Sequence, residues 1–241
     1  MIDGMRGPSV RDDVSDRLRE VRSELRETVE EIKPRLRGWL HAATLPLSLA
    51  AGIVLVVLSP AGDARIGAMV FMIASILLFG VSALYHTRAW SERGRAVLKR
   101  LDHSTIFLFI AGTYTPFALL LLDDRNAQLL LTIVWAGAVV GVLCRVFWVD
   151  APRWLYVPVY FALGWAAILW MKEFAASAGT AVITLMFVGG GFYTLGALVY
   201  AVQRPNPLPR WFGFHEVFHS FTIAGFTTHY VGISLATYAL R

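Results

Sequence analysis

The chain has 241 residues, 56% of them hydrophobic and only 16% charged, against roughly 45–50% and about 25% in a soluble globular domain, so a soluble fold is excluded. The single cysteine, Cys144, excludes an internal disulfide and a cysteine-based zinc cluster, and in its apolar run it reads as a small buried packing residue. The net charge of +5 is spread over connecting segments, which points to anionic lipid headgroups and not to nucleic acid.

In chain order, residues 1–9 carry two glycines and a proline and are expected to be disordered. From Val14 the charges are dense and balanced, but Val14, Leu18, Val21, Leu25, Val29, Ile32 and Leu36 recur at steps of three and four, one stripe of an amphipathic helix. Pro34 is expected to kink or end it. The stripe suits a cytosolic helix resting on the membrane domain or headgroups, with self-association as the alternative. No signal peptide is expected, because the first long apolar run begins only near Leu40. Residues 1–38 thus read as a charged cytosolic tail and 39–241 as a membrane domain.

Seven apolar stretches follow, at 40–58, 66–87, 102–122, 127–148, 154–171, 180–202 and 211–240. Most have the roughly 20 residues that cross a bilayer core as helix. The fifth is short and the seventh long. Ser59-Pro60-Ala61-Gly62-Asp63, Asp123-Asp124-Arg125-Asn126, Asp150-Ala151-Pro152 and Pro205-Asn206-Pro207-Leu208-Pro209 separate them with turn and charge signals. Gly189-Gly190-Gly191 and Gly196 allow close helix approach or bending. The expected fold is an all-α integral membrane bundle of seven helices. With the N-terminus inside, 18 Lys and Arg fall on cytoplasmic segments and 4 outside, or 9 against 4 without the charge-balanced tail. The N-terminus is therefore expected in the cytoplasm and the C-terminus outside.

That topology brings scattered polar residues to one membrane depth. His215-Glu216-Val217-Phe218-His219 puts two imidazoles four residues apart on one helix face, a spacing that holds a metal ion. The second span ends at His86 and the third begins at Asp102, both on the cytoplasmic side with His215 and His219. Three histidines with a carboxylate or water as fourth ligand is a zinc site of the catalytic kind. Ser82, one turn before His86, could hydrogen-bond a ligand or the metal's water. Duller readings exist: Asp102 as a helix cap, Ser82 as helix glue, His41 and His229 as packing residues, and His103 as a headgroup contact or helix-start residue.

Ser82-Ala83-Leu84-Tyr85-His86, then Leu101-Asp102-His103-Ser104 leading to Ala111-Gly112-Thr113-Tyr114-Thr115-Pro116, then the His215–His219 motif closely resemble the hemolysin III proteins, the bacterial branch of the progestin and adipoQ receptor family. The likeness covers about residues 38–240. It implies a seven-helix bundle in a bacterial plasma membrane, with zinc near the cytoplasmic side. By that likeness His86, His215 and His219 are the ligands, and Asp102 and Ser82 belong to the surrounding water network. Alkaline ceramidases share the Ser, Asp and three-His pattern, which suggests hydrolysis of lipid amides. Members often place an Asn and a Thr-His pair before the first span. This chain has Gly38-Trp39-Leu40-His41, so no role passes to His41. The functions in play are a zinc-dependent lipid amide or ester hydrolase, with Asp102 as general base, and a non-enzymatic membrane-homeostasis or receptor-like protein with structural zinc. A pore-forming hemolysin and an intramembrane protease with Glu216 as base are weaker readings. Membrane lipids are the expected partners, as substrate or ligand.

Overall fold

A computed structural model describes residues 17, 18, 21, 34–148 and 152–240. Of the N-terminal stripe, Val14, Leu25, Val29 and Ile32 lie outside the described residues, as does the glycine-containing 1–9 segment; Leu18 and Val21 are helical and exposed. Pro34 begins a non-helical turn. After it come α1 (Trp39–Leu58), α2 (Asp63–Thr87), α3 (Glu92–Leu121), α4 (Asp124–Phe147), α5 (Arg153–Gly164), a 3₁₀ turn (Ala166–Trp170), α6 (Met171–Ser177), α7 (Thr180–Val202) and α8 (Phe214–Tyr238). No strand occurs among the described residues, so the chain is an all-α bundle.

Six stretches are long and apolar enough to cross a membrane: α1 to α4, Leu155–Ser177 and α7. α8 has 25 residues, about 37 Å of helix, and is long enough as well. His215, Glu216, His219 and His229 dilute its hydropathy. Consecutive helices pack as antiparallel neighbours, and α8 closes the bundle by packing on α7, α1 and α3. At the centre, Phe226 of α8 stacks on Phe71 (5.6 Å between centroids) and meets Phe79 edge-on (5.1 Å). Small residues bring α2 and α3 together: a Cβ on Gly112 would lie 2.5 Å from the Ala74 Cβ, so only glycine allows this approach.

Three boundaries differ from the hydropathy reading. α3 starts at Glu92, ten residues before its apolar stretch, because the Ser91 hydroxyl accepts from the Gly94 amide at 3.2 Å and caps the helix there. Arg93, Arg95, Lys99 and Arg100 therefore ride on helix, and Arg100 donates to the Val146 carbonyl in the last turn of α4 (2.9 Å). The fifth span is longer than expected and interrupted. At the break the Tyr114 hydroxyl donates to Gly164 O (2.6 Å) and accepts from the Ala167 amide (3.1 Å), which satisfies backbone groups that lipid cannot. The seventh helix begins at Phe214, since Trp211 is held in a turn whose flank pairs Leu208 with Phe212. α7 runs unbroken through its glycines. Gly189 and Gly196 face side chains of α8, so their role is close approach and not bending.

Candidate metal centre

The cluster forms where the end of α2 meets the start of α8. His86 is in the last turn of α2, and His215 and His219 are in the first two turns of α8. One nitrogen from each ring lies within 4.8 Å of the other two. The Nε2 atoms of His86 and His215 are 3.2 Å apart, close to the ~3.3 Å between two nitrogens bound at 2.0–2.1 Å in tetrahedral zinc. His219 is buried, and its Nδ1 has no hydrogen-bond partner among the described residues. The donor set thus fits a metal ion that takes imidazole, and its geometry suits three protein ligands with one position left over.

Asp102 stands beside the cluster, its Oδ2 3.7 Å from His86 Nε2. It lies three turns inside α3, whose cap is Ser91, so it does not serve as a helix cap. Ser82, buried one turn before His86 on α2, lies beside the Asp102 carboxyl. Both residues line an internal cavity of about 190 Å³ together with His215 and His219. The cavity runs on between α3, α5, α7 and α8 over aromatic and aliphatic side chains such as Phe109, Phe117 and Phe187.

Glu216, between the two histidines in sequence, points away from them. Its Oε1 takes a 2.7 Å ion pair from the Arg37 guanidinium, and its Oε2 accepts from the Gly213 amide at 2.8 Å, closing the N-terminus of α8. The carboxylate is buried with both oxygens engaged, which removes the basis for reading it as a protease base. The tail seals this end of the bundle: the Arg35 and Leu36 amides donate to the carbonyls of Arg210 and Trp211 at 3.0 and 3.2 Å. Gly38 follows at φ +84, and a Cβ there would lie 2.5 Å from that of His86. Both facts require glycine at that turn.

Of the three other histidines, only His103 departs from its sequence reading. The ring of His41 lies flat on His219, 3.7 Å between centroids at 9°, and neither of its nitrogens has a hydrogen-bond partner among the described residues. It is a packing residue, and what it packs on is a candidate ligand. His103 is not a headgroup contact: it meets the buried Arg145 guanidinium, which lies 4.4 Å above the Tyr156 ring. His229 lines the far part of the cavity.

The family model described as haemolysin-III related matches residues 29–230. The chain belongs to this family. It is 34% identical over 156 residues to the hemolysin-3 homolog of Bacillus subtilis (strain 168), covering 65% of this chain and 70% of that protein. It is 29% identical over 188 residues to hemolysin-3 of Bacillus cereus, covering 77% and 83%. It is also 23% identical over 189 residues to progestin and adipoQ receptor-like protein 1 of Caenorhabditis elegans, covering 70% and 43%. With its apolar helices, this haemolysin-III relative is a multi-pass membrane protein.

Sequence reasoning missed Arg37 and the placing of His41. Arg37 was one of nine basic residues in a tail that also holds nine acidic ones, with no feature to single it out. Its partner lies 179 residues away. A histidine in the first turn of an otherwise apolar span was the available signal for His41, because imidazole is costly in a bilayer without a reason.

Proposed function

We propose that this chain is a zinc-dependent hydrolase of lipid amides or esters, with His86, His215 and His219 holding the metal and Asp102 acting as general base. The observation that carries the reading is the meeting of three imidazoles and a carboxylate at a largely apolar cavity that His215, His219, Asp102 and Ser82 line. The chemistry that zinc supplies in such a donor set is polarisation of a carbonyl and acidification of a water. The chain's own residues do the rest. The apolar walls take the lipid chain and exclude bulk water. Asp102, beside His86 at 3.7 Å, takes the proton from the attacking water. Ser82, beside that carboxyl, fixes which oxygen faces the substrate. The His41 ring, flat against His219, limits the rotation of that ligand.

The test measures zinc content, melting temperature and fatty-acid release from a panel of ceramides and phospholipids, for wild type, Asp102→Asn and His86→Ala. Asp102→Asn should keep the metal and the fold and lose at least about 100-fold in release, since an amide does not accept a proton at neutral pH. His86→Ala should lose the metal and melt at lower temperature, because metal binding adds to folding free energy. Wild type with one zinc per chain and no release from any lipid would replace hydrolysis with the homeostasis or receptor-like reading. A stoichiometric metal other than zinc would change the ion and leave the ligand set standing.

A further inference from the structure

The cavity has a second polar position, away from the histidine cluster. His229 of α8 follows His219 by ten residues, about 15 Å along the helix axis. It lines the cavity together with Tyr193 of α7, their rings 5.3 Å apart at 68°. His229 Nε2 lies 3.2 Å from the Met186 carbonyl oxygen. A carbonyl only accepts, so the ring proton is on Nε2 and Nδ1 is left as an acceptor. That Nδ1 is buried without a hydrogen-bond partner among the described residues, and so is the Tyr193 hydroxyl.

The backbone makes room for both rings. A Cβ on Gly189 would run into the His229 imidazole, and one on Gly225 would come within 2.5 Å of the Tyr193 ring. Two glycines on facing helices therefore seat these two side chains, and a phenylalanine at each position would fill the same volume without an unpaired polar atom. Leaving such atoms buried and unpaired is unfavourable. One acceptor and one hydroxyl are what a ligand hydroxyl needs, since it donates to one and accepts from the other.

We propose that Tyr193 and His229 form a second polar subsite that takes a hydroxyl carried on the lipid chain, about 15 Å from the end held at the histidine cluster. The proposal rests on the reading of the cavity as a lipid site and narrows it to hydroxylated chains. With carbon–carbon bonds of about 1.5 Å, an extended chain advances ~1.25 Å per carbon, so the hydroxyl belongs near about the twelfth carbon.

The experiment is competition against radiolabelled palmitate bound to the full chain in nanodiscs, using palmitate and its monohydroxy isomers with the hydroxyl moved along the chain. For wild type, the isomers with the group near about carbon twelve should bind roughly tenfold more tightly than palmitate, with the preference falling towards one on either side. In Tyr193→Phe the ratio of the two affinities should collapse to about one. The position scan on wild type stands without any variant. A flat ratio at every position, with palmitate still bound, would overturn the subsite and leave the lipid reading intact. Failure of every acid to bind would remove both.

Discussion

At the scale of single residues, Glu216 shows how proximity in sequence can mislead. It lies one position after His215 and three before His219, and helix geometry alone permits it to share their face. The structure turns it to Arg37 and to the amide of Gly213 instead. The two histidines were legible because i and i+4 spacing is a local property of the helix. The ion pair with Arg37 was not, because a contact across 179 residues leaves no trace in local pattern. Glu216→Gln keeps an acceptor for the Gly213 amide but removes the charge that Arg37 meets. It should lower stability by ~1–3 kcal/mol, less than the roughly 3–5 kcal/mol for breaking a fully buried pair because Arg37 is one-fifth exposed. Zinc content should stay at the wild-type level, and thermal melting with metal analysis checks both. Loss of metal in this variant would place Glu216 in the ligand set, against the geometry.

At the scale of elements, the spans were readable from hydropathy because bilayer thickness sets their length. Their ends were not, because caps and not apolarity decide where a helix starts. Ser91 extends α3 by ten charged or mixed residues, and Tyr114 holds the break in the fifth span through hydrogen bonds that no periodicity records. The cap of α4 carries its own consequence. Asp123, exposed in the turn after α3, accepts from the Asn126 backbone amide at 3.0 Å and from its side-chain amide at 2.6 Å. These bonds, the backbone one foremost, hold its carboxyl below the usual carboxylate value. A depressed value in the folded state means that the contribution is fully present above the unfolded value of about 3.9 and is lost as pH falls through the folded value. Asn caps about as well as Asp but does not titrate. The melting temperature of wild type relative to Asp123→Asn should therefore be constant from neutral pH down to about 5 and decline below about 4. A difference that stays constant through that window would mean the charge at this cap does not contribute.

At the scale of the whole molecule, the bundle has two chemically unlike ends. α3 runs from Glu92 past Asp102 and through the membrane to Leu121, 30 residues or about 45 Å of helix, and Arg125 follows in the first turn of α4, so Arg95 and Arg125 mark opposite faces. The Arg95 end holds the histidine cluster, the sealed tail and most of the basic residues outside the tail. Arg145 is the exception in that set, since it is buried in the bundle. Excluding both Arg145 and the tail, the bias is still 8 against 4, and retention of positive charge on the cytoplasmic side predicts that the histidine cluster faces the cytoplasm. In a Cys144→Ala background, needed because the native thiol is exposed and not buried as its apolar run suggests, a cysteine at position 95 should resist an impermeant maleimide in intact cells and react after permeabilisation. One at position 125 should react in intact cells. The reversed pattern would turn the molecule over and put the cluster on the outer face. The spatial association of His86, Asp102, His215 and His219 would survive that result, because it rests on helix ends meeting in the fold. What would change is the leaflet from which a lipid enters, and with it the side on which any product is released.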